Sequence, residues 1–474
     1  MQKGTHYILL ITLAILLCLV SFSSCVDDEH MTADKSVVLE FSQDTIGFDT
    51  VFTGITSSTA RLLVYNRHKD GVRIARVQLE SGGKSGFMMN VDGQNGVSID
   101  DVQVLGKDSI FVFVKLNAPI NSSMEPVKIT DAILFTLESG VQQKVTLEAS
   151  GQDVQILRAE VLKSDRTFTT DELPCVIYDS LVVAENVTMR VTAGTTLYFH
   201  NGASLIVHGE LALEGMQDKP VTLRGDRLDK MFPYLPYDRL ENQWGGVRLS
   251  ASCKGCTLNH ADIHSGNFGI LCDGIDGNVS ITNSVIHNVA GYGLYLLDCK
   301  ALVANTQITN TKYDCVCIYG GTSEFIHCTL AQFYPWSADR GHALNVSNYL
   351  DDEEHIVKAA NFYNCFITGY ARDEVYGYPG DQDLNIYFVN CVLLTDVSDE
   401  TYFRNCVEES KDSATFKETN FKTFDTYAYY YDFRLDTLSV ARGKGSTTYS
   451  ALYPTDRYGV ERGDHPDAGC YQFE

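Results

Sequence analysis

Proline is scarce, with 10 residues in a chain of 474 against 37 glycines. That excludes a collagen-like repeat and a proline-rich linker protein. Positive charge is also in short supply: 37 Lys and Arg face 61 Asp and Glu, for a net charge of −24. Such a surface repels phosphate backbones and argues against nucleic acid as a partner. It would repel an acidic polysaccharide too, unless bound cations or a local basic patch offset the field. Tryptophan occurs only twice, as Trp244 and Trp336. What is present suits a globular chain: 44% hydrophobic and 21% charged residues exclude global disorder. At roughly 150 residues per domain, the length implies two or three domains, or fewer if one is an elongated repeat.

The apolar run from Tyr7 to Val20, preceded by Lys3 and His6, has the length of a secretory signal core and is too short to cross a bilayer. It ends in Phe22-Ser23-Ser24-Cys25. Small residues before a cysteine resemble the lipobox of bacterial lipoproteins, with Phe22 where leucine is usual, as in the looser lipoboxes of the Bacteroidetes. The resemblance implies a signal peptide over 1–24 and acylation of Cys25, palmitate included. Asp27, Asp28 and Glu29 follow, similar to the signal that exports such lipoproteins to the outer face of the outer membrane. Several acyl chains, each contributing about 0.8 kcal/mol per buried CH₂, would hold the protein there. Residues 25–35 read as an anchor linker. The plainer alternative is a cleaved signal peptide with an incidental cysteine.

From Val37 to Asp153 the pattern is one of short alternating strands, among them Val37–Phe41, Ala60–Tyr65, Ser109–Val114 and Ala132–Leu137, separated by Asp70-Gly71, Gly82-Gly83 and Asp92-Gly93 turns. This spacing predicts a β-sandwich of about seven strands over 36–153. Phe48–Val51, Leu63–Asn66 and Val145–Gly151 resemble landmarks of immunoglobulin-like domains of the abnormal-spindle/hydin type. Such domains serve as spacers or binding modules.

Beyond about Val182 the chain repeats itself. A small residue followed two later by an aliphatic one recurs as Ala261-Asp262-Ile263, Ser284-Val285-Ile286, Thr306-Gln307-Ile308, Cys328-Thr329-Leu330, Cys365-Phe366-Ile367 and Cys391-Val392-Leu393. The aliphatic positions lie 23, 22, 22, 37 and 26 residues apart. His260, Asn283, Asn305, His327, Asn364 and Asn390 immediately precede the triplets. A second column runs Ile270–Cys272, Leu294–Leu296, Val316–Ile318 and Leu344–Val346; a third runs Val279–Ile281, Leu302–Ala304 and Phe325-Ile326. Three short strands per repeat predict coils of a parallel β-helix, stacked about 4.8 Å apart so that like side chains lie on like. The aliphatic and small residues then form inward ladders, and the Asn/His column marks a bend that needs the left-handed conformation.

Val187–Met189, Ala193–Phe199, Ala203–Leu211 and Trp244–Val247 are similar to the opening coils of bacterial surface β-helix proteins, and Pro466–Tyr471 resembles their closing motif. The resemblance implies a right-handed parallel β-helix of the pectate-lyase type over 154–406, with a C-terminal cap over 407–474. The expected fold is thus all-β: an immunoglobulin-like sandwich, then a right-handed parallel β-helix, then a cap. That fold hosts lyases, hydrolases, adhesins and inert stalks, so it does not name an activity.

Cys253-Lys254-Gly255-Cys256 is a lone CxxC with His260 and His264 nearby. Zinc would need a second pair or histidines at ligand spacing, so the plainer reading is that the cysteines are small core residues and that no metal is held. Asp351-Asp352-Glu353-Glu354 could hold Ca²⁺, although an acidic run is more often a solvated turn. No cofactor is otherwise implied.

Insertions at 225–243, 331–342 and 368–383 interrupt the coils, the last two after the same column. Their Trp336, Tyr334, Tyr370, Tyr376 and Tyr378 offer rings for stacking on sugars, and Arg340 and Arg372 offer cations. His342, Asp339, Asp373 and Glu374 are the candidates for catalysis. A lyase acting on uronic acids needs a cation or arginine and a base; a hydrolase needs two carboxylates. The leading expectation is a surface lipoprotein, anchored to the membrane by lipid, whose β-helix binds a glycan or a surface protein without catalysis. The alternative is a polysaccharide lyase or glycoside hydrolase acting in a cleft between 331–342 and 368–383. The plain alternative for these loops is solvated surface.

Overall fold

The computed structural model describes residues 30–275, 277–410 and 419–474, and Cys25 lies outside them. The chain divides into two compact units: Met1–Asn121 with Val127–Gly151, and Ser122–Pro126 with Gln152–Glu474.

The first unit is a β-sandwich of two mainly antiparallel sheets. Alternation fixes which residues enter its core. In Ser109–Leu116, Ile110, Val112, Val114 and Leu116 are buried, whereas Phe111 and Phe113 face outward. The buried set, including Leu62, Val64, Ile74, Phe87, Val112, Phe135 and Leu147, forms one continuous cluster.

The second unit is a parallel β-helix. Its first column contains Ala261–His264, Val285–Val289, Gln307–Thr311, Thr329–Gln332, Phe366–Gly369 and Val392–Leu393, each paired in parallel with the next. Ile263, Ile286, Ile308, Leu330, Ile367 and Leu393 stand in register and are buried, as their spacing predicts. Each such side chain contributes roughly 1.5–3 kcal/mol on burial. His260, Asn283, Asn305, His327, Asn364 and Asn390 all have φ between 47° and 54°. Asparagine tolerates that region, and its amide links the coils: Asn305 Nδ2 donates to Asn283 Oδ1 at 3.2 Å, and Asn283 Nδ2 donates to Asn259 Oδ1 at 2.9 Å.

The third column differs from expectation by one residue. Ile281 pairs with Val303, and Val303 with Phe325, so Ala301 and Val303 face inward and Leu302 faces out. Leu302 and Val303 are both aliphatic, and a period of two cannot choose between neighbours of equal hydrophobicity. The insertions also need correction. All three leave the first column, after Val221–Gly225, Thr329–Gln332 and Phe366–Gly369. Residues 368–383 are not one loop, because Val375–Tyr378 is the second-column strand that pairs with Leu344–Ser347.

The C-terminal segment packs along the outward side of the first column. There Ala331, Phe366 and Val392 are apolar and share a cluster with Phe421, Phe433, Ala441, Ala468 and Tyr471. It also docks on the bend column: Asn364 Nδ2 donates to the Ser446 carbonyl, Asn305 Nδ2 to the Thr455 carbonyl, and Arg462 to Asn305 Oδ1. Among the described residues twelve cysteines are free thiols, and all of these but Cys406 are buried. Cys253 and Cys256 belong to the β-helix core, so they form no zinc site with the outward-facing His264. Asp351–Glu354 are exposed at the tip of a two-stranded hairpin.

Candidate functional site

Outward positions alternate with the inward ladders, and on the first-column strands Ala261–His264, Val285–Val289 and Gln307–Thr311 most of them carry polar side chains. His264 stands in register with His287, and Asp262 lies two residues before His264. The 226–243 insertion folds back over this face. It is stiffened by Arg227, which lies 3.8 Å from the centre of the Tyr237 ring and 2.6 Å from Asp229. The 3₁₀ turn Tyr237–Arg239 thereby brings Asp238 onto His264. Facing it, the antiparallel hairpin Phe421–Asp425/Tyr430–Leu435 presents Tyr429, Tyr430 and Tyr431.

Between these elements runs a cleft of about 470 Å³. Asp238, Asp262, His287, Gln307 and Thr309 are on its floor side, and Tyr429, Tyr430, Arg434, Arg457 and Tyr458 close it from the other. Tyr471 donates its hydroxyl hydrogen to Gln307 Oε1 at 2.6 Å, which ties the C-terminal segment to the floor.

The polar groups form one network. His264 Nδ1 is 2.8 Å from Asp262 Oδ1, and its Nε2 is 2.8 Å from Asp238 Oδ1. His287 Nε2 is 3.2 Å from the same Asp262 oxygen, and Arg224 is 2.8 Å from Asp238. Burial by itself would lower the pKa of His264, but the Asp262 and Asp238 carboxylates outweigh it and hold it at about 9. Burial would raise Asp238 and Asp262, but the His264 partner brings Asp238 down to about 2 and Asp262 well below the usual carboxylate range. Above the floor, Arg457 Nε is buried without a hydrogen-bond partner among the described residues. Shifted ionisable groups gathered in a cleft beneath aromatic rings make this a candidate site.

The residues singled out from the sequence fall in several places. Trp336 packs at a tilt on Tyr429 with ring centres 4.1 Å apart, at the border of this cleft. Tyr334 is 2% exposed, and burial followed by a hydrogen bond to Glu241 raises its pKa; its ring is closed to a sugar. Tyr370 lies under Arg340 at 4.4 Å and edge-on to Phe333, and Arg340 donates to the Tyr334 carbonyl. Asp339, Arg372 and Asp373 are exposed. Glu374 is wholly buried and accepts backbone hydrogen bonds from Ala371 and Ala343. His342 stacks on Tyr376 at 5.5 Å and lies 3.7 Å from Asp314, whose hydrogen bond raises its pKa. Tyr378 is exposed beside Tyr349 on the second column. These side chains therefore do not converge on one cleft. Trp244 packs instead on Phe199, and its indole N–H donates to the His264 carbonyl at 2.8 Å.

Sequence reasoning missed Asp262, His287, Asp238 and Arg457. A signal was present for two of them: Asp262 and His287 interleave with the very ladder residues Ile263 and Ile286.

No protein-family model matches the chain, and a search of curated proteins finds no match either. Among solved structures the chain is similar to a family 123 glycoside hydrolase from Clostridium perfringens, at 9% identity and a TM-score of 0.18, covering 24% of this chain and 25% of that one. It is also similar to a Porphyromonas gingivalis protein of unknown function, at 14% identity and a TM-score of 0.19 over 27% and 60% of the two chains. A third likeness is to a PapD-like domain of human CEP192, at 13% identity and a TM-score of 0.18 over 28% and 96%. This chain thus spans a quarter of the hydrolase. The chemistry of the cleft is read from its own residues.

Proposed function

We propose that this is a lipid-anchored surface protein whose β-helix binds a glycan in the cleft between the first column and the 421–435 hairpin. The observation that carries the reading is the pairing of Tyr429, Tyr430 and Tyr458 on one wall with Asp262, His287, Gln307 and Thr309 on the other. Rings supply the apolar faces on which sugars stack, and carboxylate, imidazole and amide groups supply directional bonds to hydroxyls. Anchoring at Cys25 and exposure on the outer membrane follow the lipobox and the acidic Asp27–Glu29 stretch. Arg457 supports a second reading, a lyase on acidic glycans. Its guanidinium lines the same cleft as His287, a candidate base, and offers a cation for a carboxylate. The test is a glycan array on the soluble chain beginning at residue 26, with product analysis of every glycan bound. Tyr430→Ala should weaken binding about tenfold. Unchanged binding by Tyr430→Ala would remove the cleft as the site. Unsaturated products that vanish in His287→Ala would establish the lyase.

A further inference from the structure

The geometry points to a divalent transition-metal site on the cleft floor, formed by Asp262, His264 and His287. One donor atom from each of these side chains lies within 4.8 Å of the other two. Asp262 Oδ1 is 2.8 Å from His264 Nδ1 and 3.2 Å from His287 Nε2. Ligands at 2.0–2.2 Å around a tetrahedral ion stand about 3.3 Å apart, so a small rearrangement of these side chains admits one. Parallel coil stacking supplies the preorganisation: His264 and His287 are register partners on adjacent coils, with ring centres 4.8 Å apart.

An independent feature is what surrounds the cluster. A metal-bound imidazole nearly always donates its remaining N–H to a carboxylate or carbonyl, which fixes the ring and its tautomer. If His264 ligates through Nδ1, its Nε2–H already has such an acceptor, Asp238 Oδ1 at 2.8 Å. Asp238 is held in turn by Arg224 at 2.8 Å, and its own carbonyl accepts the Ser265 hydroxyl hydrogen at 2.9 Å. The 226–243 insertion, which the coil does not need, thus delivers the carboxylate that orients a ligating histidine.

The donor set is two imidazoles and one carboxylate, suited to zinc and its first-row neighbours; calcium prefers an all-oxygen shell. Three protein ligands leave coordination positions on the cleft side, where Asp262 and His287 line the cavity. Open positions are the mark of a metal that meets a substrate or activates water, and closed four-ligand sites are the structural kind. The site is compatible with glycan binding in the cleft, but an ion on His287 would take the lone pair that the lyase reading assigns to a base.

The experiment uses the soluble chain from residue 26, stripped with chelator and titrated separately with Zn²⁺, Co²⁺ and Ca²⁺ by calorimetry and elemental analysis. One Zn²⁺ per chain is expected, with Co²⁺ competing for the same site and Ca²⁺ binding far more weakly. His287→Ala should weaken Zn²⁺ by at least about a hundredfold, and Asp238→Asn by about tenfold. His287 is part-exposed, so His287→Ala should fold; circular dichroism checks it, and His287→Gln replaces it if it does not. Zinc affinity unchanged in the folded His287 variant overturns the proposal. So does a sulfur-to-cobalt charge-transfer band, which would place the ion on the cysteines.

Discussion

Glu374 offers a quantitative test of the loop edge. Its side chain has no exposure, and its two carboxylate oxygens accept N–H groups of Ala371 at 2.6 Å and Ala343 at 2.9 Å, joining the loops of successive coils. Burial pushes its pKa from 4.5 up to about 7, and the two backbone donors and the His342 and Arg340 charges only partly offset it. The folded state therefore holds this proton more tightly than the unfolded chain does. The contribution to stability is complete below about pH 4.5 and is lost as pH rises through 7. A rise of this size corresponds to roughly 3 kcal/mol. Glu409, also raised to about 7 by burial, adds a similar slope, so the wild-type profile alone cannot isolate Glu374. Glu374→Gln removes one titration and turns an NH₂ toward one of the two N–H donors, at a cost of about 1–3 kcal/mol. Urea unfolding from about pH 4.5 to pH 8 should show the variant weaker than wild type at the acid end. The deficit should shrink or reverse by roughly 3 kcal/mol at the alkaline end. A wild-type-minus-variant difference independent of pH would refute the burial argument.

Ile308→Asp should abolish the cooperative unfolding transition of the second unit while the sandwich transition remains, because an unpaired carboxylate in the buried ladder costs several kcal/mol and neighbouring coils depend on each other. Asn283→Ala should lower stability by about 1–2 kcal/mol in thermal or urea melts, since alanine at φ 53° is strained and the amide chain between coils is cut. Trp336→Ala should cost about 1 kcal/mol of stability by leaving Tyr429 without its packing partner, and should weaken ligand binding in the adjoining cleft. Unchanged melting of Trp336→Ala would show that the contact contributes nothing.

The interior of the β-helix was largely legible because stacking forces like onto like. Six aliphatic positions and six bend residues share a repeat of 22 to 26 residues, interrupted once by 37. Two extra segments, the loop after Thr329–Gln332 and the Tyr349–Glu354 hairpin, lengthened that interval without disturbing the register of Leu330 on Ile367. The third column slipped where Leu302 and Val303 compete on equal terms. The site was harder to see, and for a different reason. Its floor comes from outward positions of the same strands, where no ladder has to persist, so Asp262, His264 and His287 repeat only over two coils. Its other wall comes from Tyr429–Tyr431 and Arg457, well over a hundred residues downstream. No local periodicity announces that the C-terminal segment returns to this face. The expected loop cleft failed because Tyr334 and Glu374 are drawn inward, one by its aromatic bulk and the other by the backbone donors it satisfies.

The free thiols give the β-helix a property of a different kind. They run from Cys175 to Cys470, so buried sulfur recurs along the stack of coils from its early strands to the C-terminal segment. A buried thiol reacts with an alkylating reagent only when its surroundings open. Each cysteine is therefore a native clock for its own coil, read by mass spectrometry without any label introduced. The order in which they react would chart which coils open first and whether opening spreads inward from one end. In an oxidising compartment the same arrangement sets a race. Coils that close slowly would leave neighbouring thiols open to oxidation, and the same mass-spectrometric map would find them.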